Sequence, residues 1–156
     1  TGKDFEENAI LKAKNAFTKT NISSVGDDSG LIVPAINNEP GLYSARYAGL
    51  NATDSDNRNK LISKLKDNKL ESTYAYFFCC IVAVGIKGQN EIIVCDGKVE
   101  GEVRTIERGE KGFGYDPMFY PKGYSESFAE LNSLEKNKIS HRGQALKKLM
   151  DKLNKT

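Results

Sequence analysis

An α/β fold is predicted by three observations. Apolar residues recur at helical spacing near both ends, as Phe5, Ala9, Ala13, Ala16 and Phe17 and then as Leu146, Leu149, Met150 and Leu153. Between them, Tyr74 to Ile86 is apolar on both alternating faces, the pattern of a central strand covered on both sides. Adjacent carboxylates, Asp27 and Asp28, stand at the exit of an apolar run, where open α/β sheets place their ligands. A length of 156 residues suits one domain, 1–156, with a substantial core.

The elements follow in order. Residues 4–18 are predicted as a helix with Asp4 as N-cap. Ile22 to Val25 and Leu31 to Ile36 are short apolar runs flanking the acidic cluster, giving strand, polar turn, strand, and Asn37-Asn38-Glu39-Pro40-Gly41 marks a further turn. Leu61, Ile62 and Leu65 share one face of a helix over residues 54–67, whose polar face carries Asn57, Lys60 and Lys64. After the central strand, Glu91 to Val103 reads as more strand, broken near Asp96-Gly97 by turn chemistry. Ser127-Phe128-Ala129-Glu130 fits a capping box, and the last helix starts near Ser140. No internal repeat or low-complexity linker interrupts the chain.

Composition narrows the function classes. Charged residues make up 28% and hydrophobic ones 38%, as in soluble globular proteins, and a net charge of +2 is too small to indicate nucleic-acid binding. No stretch approaches a membrane span and no charged-then-apolar leader opens the chain, so a cytoplasmic protein without membrane or nucleic-acid partners is expected. Cys79, Cys80 and Cys95 lie in apolar runs, where free thiols pack as small hydrophobes. The triplets Asn21-Ile22-Ser23 and Asn51-Ala52-Thr53 would matter only in a secreted chain.

Three polar clusters together read as a nucleotide site. In Asp27-Asp28-Ser29-Gly30 the carboxylates are hard oxygen ligands of the kind Mg²⁺ takes, and Asp28 is suited to orienting a water; the same residues also serve as turn caps. In Gly112-Phe113-Gly114-Tyr115-Asp116-Pro117 an aromatic ring lies beside two glycines, with Tyr115 and Asp116 as polar partners for a base or sugar; the alternative is a glycine turn with Phe113 in the core. In Lys136 to Ser140-His141-Arg142-Gly143 positive donors meet a helix start, a setting suited to phosphate or a purine oxygen. Arg142 has donors only, so it matches a 6-oxo purine and not adenine's amino group, and His141 can donate likewise. Lys12 either reaches phosphate from the first helix or lies on a solvated face.

These segments resemble those of the inosine/xanthosine triphosphate pyrophosphatases, through DDSG, GFGYDP and SHRG in that order. Thr1-Gly2 with Phe5 to Ala13, and Pro40-Gly41 with Tyr43 to Tyr47, resemble the family's preceding helix and following loop. The resemblance implies an elongated fold around a central mixed sheet flanked by helices, a homodimer, and Mg²⁺-dependent cleavage of noncanonical purine triphosphates (ITP, dITP, XTP) to monophosphate and pyrophosphate, which cleans the nucleotide pool. It implies a proton-acceptor and metal role for Asp28, with Asp27 beside it, and substrate contacts from Ser29 and Lys136. It also makes the segment from Phe113 and Gly114 through Tyr115 and Asp116 the nucleoside pocket. Cleaving a phosphoanhydride puts negative charge on the transition state that metal and cations must neutralise. Family members also carry an opening strand, a phosphate-gripping loop and a metal-binding carboxylate ahead of the equivalent of Thr1, so weaker turnover is expected of this chain alone.

Two other readings remain: a nucleotide-binding or dimerising protein without turnover, and a related pyrophosphatase for another modified nucleotide. Other motifs fail on spacing. The run from Gly109 to Gly114 reverses the dinucleotide fingerprint, Gly97-Lys98-Val99 lacks the residues of a Walker loop, and no nucleophile elbow surrounds Ser29 to support a triad with Asp28 and His141.

Overall fold

The computed structural model describes residues 2–86, 88 and 91–155, so Thr1 of the opening Thr-Gly pair lies outside the described residues. Helix α1 (Phe5–Thr20) leads into strand β1 (Ser24–Val33); the two-residue strand β2 (Glu39–Pro40) precedes helix α2 (Asp54–Asp67). Strands β3 (Ser72–Val84), β4 (Ile92–Arg104) and β5 (Phe119–Pro121) follow, then helices α3 (Ser133–Ile139) and α4 (His141–Leu153). The strands form a five-stranded sheet in the order β2-β1-β3-β4-β5. At its edges β1 pairs antiparallel with β2, with Ile32 opposite Pro40, and β4 pairs antiparallel with β5, with Gly101 opposite Pro121. The α/β class holds, with β3 in the middle of the order.

The chain divides into two compact units, the first built from Thr1–Ser29, Phe78–Lys98 and Ser140–Thr156, the second from Gly30–Phe77 and Val99–Ile139. In the first, the two-faced apolar pattern of β3 has a direct cause. Cys79, Ile81 and Ala83 pack with Ala145 and Leu149 of α4, whereas Cys80, Val82 and Val84 pack with Ala9 and Ala13 of α1. Successive side chains of a strand point to opposite faces, so a helix on each side requires apolar residues at every position. The C-terminal stripe is shifted from its expected place: Ala145, Leu149 and Leu153 face the core, and Leu146 and Met150 are exposed.

Two glycines let these helices come close. A Cβ at Gly26 would lie 2.6 Å from both Ala9 O and Ala13 N, and one at Gly97 would lie 2.0 Å from His141 O. Both had been expected in or beside turns, yet both lie inside continuous strands. Glycine, aspartate and serine are turn formers by local preference, and here the need for backbone to approach backbone overrides it.

The second unit buries Leu31, Val33, Leu61, Leu65, Phe77, Val103, Phe119 and Phe128 in one cluster. Phe77 lies 4.6 Å from Phe119 and 5.9 Å from Phe128 between ring centroids, within the range of favourable aromatic pairs. Helix α2 has the expected bounds, and Thr53 and Asp56 close a reciprocal capping box at its start. Asn57 is not on its polar face. It is buried, accepting from Ala48 N at 2.8 Å and donating to Ala45 O at 3.2 Å, and so ties the Gly41–Arg46 turn to the helix. The capping box at Ser127 is half made. Glu130 accepts from Ser127 N at 2.9 Å, but the Ser127 hydroxyl donates to Arg108 O and no helix starts there.

Candidate active-site clusters

The acidic cluster of the first unit is strand, not turn, and this separates its carboxylates. Asp28 faces α1: its Oδ1 is 2.7 Å from Lys12 Nζ and its Oδ2 accepts from Asn8 Nδ2 at 3.2 Å. Asn8 and Lys12 are one helical turn apart, on one side of α1. Asp27 faces α4, where its Oδ2 is 2.7 Å from Arg142 Nη2. Alternation along the strand thus gives the two carboxylates expected as metal ligands different partners, Asp28 those of α1 and Asp27 that of α4. Lys12 also donates to Asp27 O at 2.8 Å, so its ammonium bridges side chain and backbone of the cluster and is not merely solvated. Ser29 is half-buried at the end of this segment.

The chemistry of the donors suits a hard divalent cation. Asp28 provides one hard carboxylate, 17% exposed at its side chain, and among the described residues no group of three or more His, Cys, Asp or Glu forms a self-contained metal site. A cation held there would take its other ligands from water and phosphate, as Mg²⁺ does.

Arg142 enters from the start of α4, where Ser140 is the N-cap and accepts from Gly143 N at 3.0 Å; His141 and Arg142 occupy the first turn, as expected. The thiol of the buried Cys79 is pushed up from 9.0 to about 11 by burial and then by Asp27, against the lowering pull of Arg142. Burial, with Glu6 next, pushes Cys80 up to about 12. Both cysteines are core thiols, as expected. Their pKa values are raised, so the stability they contribute is complete below about pH 9 and is lost as pH rises through the folded values. The melting temperature is therefore expected to fall from about pH 8 to about pH 10.5, and to fall less in a Cys79→Ala/Cys80→Ala variant. Equal slopes in the two proteins would contradict this.

The second unit holds the glycine-flanked loop. Phe113 is 61% exposed, not in the core, and lies between Gly112 at φ +75° and Gly114 at φ +61°. Lys136 Nζ lies over its ring, 4.7 Å from the centroid, and bonds Asp116 Oδ2 at 2.5 Å. The same carboxylate oxygen accepts from Phe113 N at 3.0 Å. Asp116 and Tyr115, expected as polar partners of base or sugar, are turned inward. Asp116 is occupied by Phe113 and Lys136, and the Tyr115 hydroxyl donates to Ser44 O at 2.7 Å. Burial raises the Tyr115 pKa, followed by the charges of Tyr47 and Asp54, so the phenol stays a protonated donor. The two residues brace the loop that presents Phe113. A Cβ on Gly112 would stand 2.2 Å from Asp116 Oδ2, which explains that glycine.

Sequence reasoning missed Asn8, Ser44, Asp54 and Arg58. Asp54 Oδ2 accepts from Gly114 N at 2.9 Å and Arg58 Nη1 donates to Gly114 O at 2.8 Å. Their spacing on one helix was visible, but no local pattern indicates which distant loop such a pair holds.

The Ham1 family model matches residues 1–152. A protein of Idiomarina loihiensis called dITP/XTP pyrophosphatase is 48% identical over 155 residues, covering 99% of this chain and 77% of that protein. The solved HAM1 protein of Coxiella burnetii superposes with a TM-score of 0.92 at 42% identity, over 100% of this chain and 79% of that one. The Staphylococcus aureus Ham1 protein gives 0.89 at 44% identity, over 99% and 78%.

Proposed function

Because the chain belongs to the Ham1 family, we propose that it is a nucleoside triphosphate pyrophosphatase that removes noncanonical purine nucleotides, dITP, ITP and XTP, from the nucleotide pool. The reaction adds water to the triphosphate, breaks the anhydride between the α- and β-phosphates, and yields nucleoside monophosphate and pyrophosphate. The observation that carries this reading is the exposed Phe113, with Lys136 of α3 over its ring and open space at the neighbouring Gly114. Such a ring is a stacking platform for a purine.

Asp28 accepts the proton of the attacking water, and Asn8 and Lys12 hold its carboxylate in one orientation. Mg²⁺, when bound, neutralises polyphosphate charge, with Asp28 as its carboxylate ligand. Lys12 adds positive charge for the phosphates, and Ser29 a hydroxyl beside them. Asp27 serves Arg142 instead of the metal, fixing the guanidinium through its ion pair. Arg142, with His141 beside it, donates to a 6-oxo group and leaves adenine's amino group unmatched. Gly114 lets a base approach; Tyr115 and Asp116 act through the loop they brace. We infer also that the enzyme works as a homodimer, as the pyrophosphatase resemblance implies, and that it works in the cytoplasm. No helix among the described residues is long and apolar enough to cross a membrane.

Pyrophosphate release should be faster, by kcat/KM, from dITP and XTP than from ATP, and equal efficiencies would overturn the assignment. Arg142→Ala should narrow the dITP/dATP ratio of kcat/KM by roughly tenfold to a hundredfold, the cost of one unmatched buried polar group. An unchanged ratio would remove Arg142 from base recognition.

A further inference from the structure

We propose that Asp54 and Arg58 are positioning residues that hold the nucleoside-stacking loop in its binding conformation, a role that rests on the pyrophosphatase reading. Both project from the first turns of α2, four residues apart, so one helix presents an acceptor and a donor side by side. They meet the same residue. Asp54 takes the N–H of Gly114 and Arg58 gives to its C=O.

Those two groups belong to different peptide planes, one joining Phe113 to Gly114 and the other joining Gly114 to Tyr115. Holding both removes the freedom of the residue between them. Gly114 needs this: it sits at φ +61°, and apart from its chain neighbours no atom of the described residues lies within 4 Å of where its Cβ would be, so no packing there restrains it. Arg58 is itself held, through Nε, by Glu107, and its side chain is only 19% exposed. On the other side of Phe113, Asp116 already takes the Phe113 N–H. Phe113 is therefore tied through its own amide by Asp116 and through its following peptide by Asp54, while the residue remains 61% exposed.

A stacking ring that is ordered before the ligand arrives spares the complex the entropy of ordering it. Stacking does not distinguish one purine from another, because every base has a π-face. Loss of the clamp should thus weaken all purine triphosphates alike, and equal weakening of ground and transition states raises KM and leaves kcat unchanged.

The test compares Asp54→Ala, Arg58→Ala, the double variant and Asp54→Asn, whose amide oxygen still accepts the Gly114 N–H. The readouts are steady-state kinetics with dITP, XTP and dATP, and NMR hydrogen exchange at the Gly114 amide. Each alanine variant should raise KM for dITP and XTP on the order of tenfold, with kcat within about twofold and an unchanged dITP/dATP ratio. The double variant should fall short of the summed effect, since both residues hold one glycine. Asp54→Ala should speed exchange at Gly114, and Asp54→Asn should recover both KM and protection. A merely structural role would lower the melting temperature and the active fraction, seen as reduced kcat at constant KM, and that result overturns the proposal. So does a wild-type KM in both alanine variants while wild-type protein hydrolyses dITP. A wild-type protein that shows no preference for dITP and XTP overturns the function itself, and the clamp's role with it.

Discussion

Asp28→Asn is expected to abolish most turnover and to leave nucleotide affinity largely intact. The amide keeps the size of the side chain and can still accept from Lys12 or Asn8, which hold Asp28 at 2.7 Å and 3.2 Å. It loses the negative charge that a proton acceptor and an Mg²⁺ ligand both require. General-base catalysis alone contributes about a hundredfold to ten-thousandfold, so pyrophosphate release from dITP at saturating Mg²⁺ should fall at least that far. Binding of a nonhydrolysable dITP analogue, measured by calorimetry, should change little, because stacking on Phe113 does not use that charge. Asp27→Asn is the informative contrast. Asp27 looks toward α4 and pairs with Arg142, so its loss should act mainly on the dITP/dATP ratio. Near-normal turnover in Asp28→Asn would sink the proposed role of that carboxylate.

Gly97→Ala is expected to produce the largest loss of stability. The added carbon would stand 2.0 Å from His141 O and 2.9 Å from Ala145 N, both backbone atoms of α4. Rotating a side chain cannot relieve such a contact, so the helix must move off the sheet, uncovering Cys79, Ile81 and Cys95 where Ala145 and Leu149 now pack. Overpacking a core typically costs about 1–3 kcal/mol, and backbone on both sides places this case at or above the upper end. Because α4 carries Arg142, base selectivity should weaken with stability. Gly49→Ala is a poor match because of its positive φ, so Gly88→Ala is the control: apart from its chain neighbours, no atom of the described residues lies within 4 Å of its added carbon, and the melting temperature should be nearly unchanged. Thermal unfolding of the two variants beside wild type decides the matter, and equal midpoints would show that α4 does not need Gly97.

Particular residues show where sequence reasoning reached and where it stopped. Helix α2 had its bounds foreseen because apolar spacing and capping chemistry lie within a few residues of each other. Ser140 was legible as a helix start for the same reason. The stretch Gly26 to Gly30 was not, because each residue there prefers a turn on its own, and β1 runs through it only as part of a sheet. Asn57 looked like a surface residue, since nothing in its neighbours announces the backbone of Ala45 and Ala48 that it satisfies. Ser127 and Glu130 matched a capping pattern, but the serine hydroxyl found a better partner in Arg108 O, far along the chain.

The amino-acid order alone was enough to establish the α/β class, the buried central strand, three helices and the family membership that the ordered motifs announced. Periodicity, caps and motif spacing are local quantities, and local quantities survive in a linear text. Folding then settled which way each side chain looks. It placed Asp27 and Asp28 on opposite faces of one strand, turned Tyr115 and Asp116 inward while leaving Phe113 outside, and brought Asp54 and Arg58 onto Gly114. These are consequences of strand alternation and of contacts between residues up to 115 positions apart in the chain, whose energies appear only when the partners meet.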